Sequence, residues 1–341
     1  MFPTSPWLWT QFLACVFAIS IAGYWLCRDG ERLGEAWGLS RSWVGLAMLA
    51  SITSLPELVT GLSAVTVANA PNIAVGDALG SCVINLAFLV VVDFIFRAEP
   101  LYRTASTSHI LSGAFGVVLL GFIGLNILLS HVDGFHVPAI AGIGLYSPVL
   151  ILVYLAALRV AFRYEHARAP LGPEMAPLKT PKADLNHALQ RFALAATVVA
   201  ATGIWLPVAA AELADAMGWS RSFVGTLLVA TATSLPELAV TLSSVRIRAL
   251  DMAVGTLLGS NLFNAAIIAA DDLFYRKGPL LAHVSALHAI TAMSGMIMTA
   301  LTMVGLFDRP AGRVLRTVSW VSIGLVAVYL LNAYVVFIHG E

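Results

Sequence analysis

Ten apolar stretches, each about 20 residues long and nearly free of charge, dominate the chain at 7–27, 43–67, 73–96, 109–130, 145–162, 192–211, 223–245, 252–274, 283–306 and 318–337. A helix rises about 1.5 Å per residue, so one such stretch crosses a hydrocarbon core roughly 30 Å thick. The stretches are continuous and do not alternate as short strands would, so they predict spanning helices and not a barrel. Of 341 residues, 59% are hydrophobic and 11% charged, more apolar surface than a soluble domain of that length can bury. The first stretch lacks a basic leader and a cleavage pattern, which predicts a retained helix. Cys15, Cys27 and Cys82 lie in or beside apolar stretches without metal-type spacing, which argues against a disulfide framework and a zinc site.

Formal net charge is zero, so the balance itself says nothing about nucleic acid; the expected partners are metal cations and the lipid bilayer, with no nucleic acid. The placement of lysine and arginine is more informative. With the amino terminus outside, the inner side collects Arg28, Arg32, Arg41, Arg97, Arg103, Arg159, Arg163, Arg168, Lys179, Lys182, Arg191, Arg246, Arg248, Arg309, Arg313 and Arg316. The outer side keeps Arg221, Arg276 and Lys277, so both termini are expected outside a cell (inner) membrane crossed many times.

The chain is also duplicated. GLSRSWVGLAMLASITSLPELVTGLS from Gly38 matches GWSRSFVGTLLVATATSLPELAVTLS from Gly218 without a gap. AVGDALGSCVINLAFLVVVDFIFRAEPL from Ala74 then matches AVGTLLGSNLFNAAIIAADDLFYRKGPL from Ala253, and His109 falls in register with His288. The expected organisation is a first five-helix repeat at 1–163 with its motif region at 38–101, a cytoplasmic linker at 164–190, and a second five-helix repeat at 191–341 with its motif region at 218–280. The linker is rich in proline, alanine and charge, which favours a flexible connector over an ion-sensing loop. Five is odd, so the second half enters from the opposite side. The predicted fold is an all-α integral membrane protein with ten transmembrane helices in two inverted-topology repeats, an arrangement common in secondary transporters.

Thr53-Ser54-Leu55-Pro56-Glu57 and Thr233-Ser234-Leu235-Pro236-Glu237 lie within the second and seventh stretches. A charged side chain at the centre of a membrane helix costs about 2.5 to 3.5 kcal/mol, so each glutamate marks a site or pathway more readily than a packing position. At matching positions in inverted repeats the two should meet near the midplane, where close carboxylates call for a cation or shared protons. The alternative is a proline-kinked packing helix with a paired glutamate, which leaves the duplication unexplained. Each proline frees the carbonyl four residues back, that of Ile52 or Ala232. Hard cations take oxygen ligands of these kinds. Thr53 with Glu57, and Thr233 with Glu237, are four apart and so share a helical face. In the third stretch Asp77, Ser81 and Asn85 form a polar stripe, matched by Thr256, Ser260 and Asn264 in the eighth. Gly76, Gly80, Gly255 and Gly259 allow close helix approach beside them.

Other polar residues read as interfacial. Asp93 with Arg97 and Asp272 with Arg276 are expected to form i,i+4 ion pairs at helix ends. His109 and His288 sit near helix starts, more as interfacial residues than as proton carriers. Glu35, Glu212 and Asp215 fall in amphipathic ends after the first and sixth stretches.

Together the doubled TSLPE, each followed by GS and an asparagine four residues after that serine, resembles the calcium/cation antiporter superfamily, whose sodium/calcium exchangers carry two repeats of the form GTSLPE followed by GN..GSN..N. The resemblance covers nearly the whole chain. It implies a ten-helix transporter in which helices 2, 3, 7 and 8 surround the ions while helices 1 and 6 slide to alternate access. It also implies metal ligands at Thr53, Ser54, Glu57, Ser81 and Asn85, and at Thr233, Ser234, Glu237, Ser260 and Asn264, with Asp77 as a further candidate. The chain departs from the pattern at Ile52 and Ala232 for glycine, Asp77 and Thr256 for the GN asparagine, and Cys82 for the GSN asparagine. Exchangers can carry aspartate where Asn264 stands; its absence removes one negative charge that Asp77 restores nearer the end of its helix. The implied function is exchange of Ca²⁺ for Na⁺, the cations being substrates with no cofactor; the oligomeric state stays open, a monomer being compatible with it. Ca²⁺/H⁺ exchange is the alternative, since two carboxylates can neutralise one Ca²⁺ or accept two protons. A passive cation channel and an intramembrane hydrolase using Ser81 or Asp77 are weaker rivals: no HExxH occurs, and the expectation is not an enzyme.

Overall fold

The computed structural model describes residues 6–36, 50–96, 100–168, 182–310, 312–314 and 317–339. The stretch 38–49, including Arg41 and Trp43, lies outside them, as do Arg97, Lys179 and Arg316 and the side chains of Glu35, Arg168 and Lys182. The long helices are α1 (Pro6–Ala36), α2 (Leu55–Thr66), α3 (Pro71–Ile95), α4 (His109–Ser130), α5 (Tyr146–Arg168), α6 (Lys182–Met217), α7 (Leu235–Arg246), α8 (Leu250–Phe274), α9 (Leu287–Asp308) and α10 (Trp320–His339). Among the described residues, eight helices are long and apolar enough to cross a membrane, and nine if the bent pair Arg221–Thr233 and Leu235–Arg246 is one span. A short hairpin, β1 (Ala139–Ile140) with β2 (Ile143–Gly144), precedes α5.

Several helices outrun their apolar stretches. α5 reaches Arg168 and α6 starts at Lys182, so both ends of the expected linker 164–190 are helical. Charged residues continue a helix readily once it leaves the apolar layer, because their long side chains reach water. α6 likewise carries Glu212 and Asp215 in its final turns, and Asp215 accepts from Arg221 at 3.0 Å.

α3 and α8 form the centre of the bundle and are its most buried long helices. They lie side by side with opposed ends. At one end Asn72, at the start of α3, accepts from the backbone N–H of Ser285 in the loop after α8. At the other, Asp251 at the start of α8 accepts from the N–H of Ser106 in the loop after α3. Gly76 and Gly80 of α3 press against backbone, since a Cβ at Gly76 would lie 2.9 Å from the Thr226 nitrogen and one at Gly80 would collide with the Thr226 carbonyl. Thr226 belongs to a π-helical segment, Val224–Val229, immediately before the second TSLPE. α1 and α6 pack along each other outside this core. Asp29 of α1 accepts from Arg191 of α6 at 2.8 Å, clamping one end of the pair.

Of the polar residues read as interfacial, Asp93, Asp272, His109 and His288 turn inward, while Glu212 and Asp215 are exposed. Asp272 is fully buried and accepts from the N–H groups of Gly144 and Leu280 and the hydroxyls of Tyr146 and Ser147, at 2.5 to 2.9 Å, and not from the exposed Arg276. Asp93 accepts from Leu101 N–H, Ser319 N–H and Ser322 Oγ. The expected ion pair of Asp272 is thus corrected to a buried anchor that ties the hairpin and the first residues of α5 to the turn at Leu280, while Asp93 ties the turn at Leu101 to the start of α10; unpaired N–H and hydroxyl donors in the interior hold an anion more strongly than an exposed cation does. His109 and His288 are also buried. Each lies 3.2 Å from a matched partner, Asp251 Oδ1 or Asn72 Oδ1, fixing the loop before its helix.

Candidate ion site

Both TSLPE motifs break their helices. Proline supplies no N–H, so a turn, Ala50–Thr53 or Ala230–Thr233, ends at Ser54 or Ser234, and a new helix starts with proline in its first turn. In the second half the two segments meet at 43°. Glu57 and Glu237 therefore occupy the first turns of α2 and α7, where the helix dipole favours an anion.

Serine at a helix start usually caps it. Here neither does. Ser54 Oγ instead donates across to Glu237 Oε1 at 3.0 Å, and Ser234 Oγ donates to Glu57 Oε1 at 3.3 Å. The two halves exchange these bonds reciprocally. Both glutamates are buried, and the second oxygen of each, Oε2, has no hydrogen-bond partner.

The threonines also bond across the halves. The break at Ser54 turns Thr53 toward α8, where its hydroxyl lies 3.2 Å from Ser260 Oγ, itself 3.5 Å from Glu237 Oε1. Thr233 donates to Asp77 Oδ1 at 2.8 Å. Ser81 lies beside Glu57 and Asp77, although no well-formed hydrogen bond reaches its hydroxyl. Asn85 Nδ2 donates to Asn261 Oδ1 at 3.1 Å, leaving its own Oδ1 unpartnered. Asn264 is buried with neither amide atom hydrogen-bonded. Thr256 turns away, its hydroxyl donating to the Met252 carbonyl one turn back.

All eleven candidates, Thr53, Ser54, Glu57, Asp77, Ser81, Asn85, Thr233, Ser234, Glu237, Ser260 and Asn264, are buried. They converge from α3, α8 and the two broken helices. Among the described residues no three His, Cys, Asp or Glu side chains gather as a compact metal cluster, so the acceptors are of mixed kind. Carboxylates supply charge, while hydroxyls and amide oxygens supply further ligands, a set suited to hard cations. No described lysine or arginine forms an ion pair with Glu57, Glu237 or Asp77.

Two contributors escape the doubled motifs. Asn261 orients Asn85 and also donates to the Cys82 carbonyl at 3.1 Å, joining α8 to α3; its signals were its place in the GSN of the second half and the mismatch with Cys82 in the first. Asp271 is fully buried beside Asp272 and has no hydrogen-bond partner on either oxygen. Its signal was equally small, an aspartate where the first half has Val92.

This geometry belongs to a polytopic helical protein with a buried, anionic, oxygen-rich centre. The profile of the sodium/calcium exchanger protein family matches residues 7–161 and 187–338, so the chain belongs to that family, one of transporters and not of enzymes. Inner membrane protein YrbG of Escherichia coli is 28% identical over 258 residues, covering 74% of this chain and 72% of its own. The fold resembles that of the H⁺/Ca²⁺ exchanger CAX, with TM-score 0.71 and 16% identity over 98% of this chain and 85% of the other. It also resembles that of the sodium-calcium exchanger NCX_Mj, with TM-score 0.60 and 22% identity over 96% of this chain and 97% of the other.

Proposed function

We propose that the chain is a secondary antiporter exchanging Ca²⁺ for Na⁺ by alternating access, with Glu57 and Glu237 binding the ions in turn. The observation that carries this reading is their reciprocal bonding to Ser234 and Ser54, which leaves one unpartnered oxygen on each buried carboxylate. Thr53, Ser54, Asp77, Ser81, Asn85, Thr233, Ser234, Ser260 and Asn264 complete the proposed ligand set. A bare carboxylate pair pays a large desolvation cost in low dielectric, and either ion relieves it. Only an occupied site then crosses the barrier, as exchange requires.

The reading includes ten spans in two inverted five-helix repeats, 1–163 and 191–341, joined by a cytoplasmic segment, with both termini outside a cell membrane. α1 and α6, joined by Arg191 and Asp29, move against the core. Ca²⁺/H⁺ exchange is the second reading. Asn264 favours it, because an amide there leaves the centre with fewer charges for several Na⁺ ions. Uptake of ⁴⁵Ca²⁺ by proteoliposomes, first under an imposed Na⁺ gradient and then under a pH gradient, separates the two. Uptake driven by the Na⁺ gradient supports the first reading, uptake driven only by the pH gradient supports the second, and uptake insensitive to either counter-ion points to a channel.

A further inference from the structure

Resting on that reading, we infer that Asp271 forms, with Asp77, an outlying cation site on one side only of the central glutamates. Adjacent residues in α8 make the contrast. Asp272 has four donors within hydrogen-bond distance, whereas Asp271, equally buried, has none. The four donors account for the burial of the first and nothing comparable accounts for that of the second. A buried carboxyl without a hydrogen-bond partner is costly, so a carboxyl kept in that condition calls for an explanation.

The surroundings of Asp271 are shaped to admit it. A Cβ on Gly61 of α2 would lie 2.6 and 2.8 Å from its two oxygens, so the carboxylate occupies the space that a side chain there would fill. Gly61 lies one turn beyond Glu57. Asp77 lies within electrostatic range of both Asp271 and Glu57, and its Oδ2 is also unpartnered. Asp271 thus sits against α2 one turn from Glu57, and Asp77 neighbours both. Asp77 is near the start of α3 and Asp271 near the end of α8, the two ends joined at Asn72 and Ser285, so both lie toward the membrane face that bears the β1–β2 hairpin.

The opposite side has no equivalent. The residues matched to Asp271, Asp77 and Gly61 are Val92, Thr256 and Thr241. Val92 is buried and apolar, and Thr256 bonds its own helix. A hard cation entering from the hairpin face therefore meets two carboxylates before the glutamates, and one entering from the other face meets neither. Two carboxylates without a full ligand shell suit a cation in transit, since passage needs binding that is also weak enough to release.

The test measures the half-saturating Ca²⁺ concentration of the full chain from each face, in right-side-out and inverted membrane vesicles. Asp271→Asn keeps the shape and removes the charge. It is expected to raise half-saturation from the hairpin face about ten-fold while leaving the other face within about two-fold. Gly61→Ala, which forces the carboxylate to move, is expected to shift the same face and carries the test if Asp271→Asn fails to fold. An equal shift on both faces, or none, in the folded variant overturns the inference and leaves Asp271 a packing residue. Glu57→Gln is the control for the parent reading: continued exchange there defeats the central site itself, whereas its loss beside an unshifted Asp271→Asn defeats only the outlying site.

Discussion

The two halves of the chain are alike at the glutamates and unlike one turn away. Ser54 and Ser234 donate to each other's glutamate in the same way. Around them α3 has Asp77 and Val92 where α8 has Thr256 and Asp271, and α2 has Gly61 where α7 has Thr241. The outer pair differs too. Gly23 of α1 packs on the ring of Pro236, whereas its match, Gly203 of α6, packs not on Pro56 but on Val59, three residues further along α2. Three residues of helix are about 4.5 Å. Ser63 of α2 also donates to the Ile204 carbonyl of α6 at 2.8 Å, a contact on the displaced side. Duplication thus gives a centre that both halves hold equally, and single substitutions plus a displaced helix pair distinguish the two approaches to it. On the proposed function, one site is reached from two faces in turn, and these differences distinguish the two faces.

The likeness at the centre is broken most directly at the glutamates. If the halves contribute equally, Glu57→Gln and Glu237→Gln each abolish gradient-driven ⁴⁵Ca²⁺ uptake while the purified protein stays monodisperse on gel filtration. Retained uptake in one of them would make that half dispensable. The amide keeps the shape and loses the charge, so loss of uptake with an intact fold assigns the effect to charge.

The anchoring aspartates sharpen the comparison further out. Asp272 and Asp93 are matched, but the first has four donors and the second three. Hydrogen bonds to a charged group contribute about 1.5 to 3 kcal/mol each, and an amide nitrogen in place of one oxygen presents a donor to donors. Asp272→Asn should therefore cost about 3 kcal/mol or more, and Asp93→Asn somewhat less. Thermal unfolding in detergent reads this as two lowered midpoints, with that of Asp272→Asn the lower. The reverse order would mean that the start of α10 depends on Asp93 more than the hairpin and the turn at Leu280 depend on Asp272.

Much of this was legible in the sequence because it depends on local composition. Apolar length places helices, proline four residues after a carbonyl breaks them, and the Asp77-Ser81-Asn85 spacing aligns a polar stripe. What escaped depends on partners far away in the chain. The donors to Asp93 include Ser319 and Ser322, more than 220 residues on, which no local spacing can reveal. The crossing of Thr53 to Ser260 follows from the direction a broken helix takes, which helical periodicity cannot supply. Asp271 was concealed by its neighbour: two consecutive aspartates at a helix end resemble an interfacial cluster until their partners are known.

The smallest predicted effect tests the displaced pair. A methyl at Gly23 meets the Pro236 ring, which is held by its own backbone and cannot rotate away. A methyl at Gly203 meets Val59 Cγ1 at 2.9 Å and Thr60 Oγ1 at 3.4 Å, side-chain atoms on rotatable bonds. Gly23→Ala should therefore slow exchange more than Gly203→Ala, by about five-fold in rate, which corresponds to roughly 1 kcal/mol. Initial rates of ⁴⁵Ca²⁺ uptake at saturating Ca²⁺ provide the measurement. Equal slowing would mean that each glycine meets a similarly unyielding surface during turnover, and that the three-residue offset belongs to one stage of the cycle. Unequal slowing in the stated order would mean that the step limiting exchange carries α1 across the proline break of α7, making that contact, and not the ion site, the slow point of the cycle.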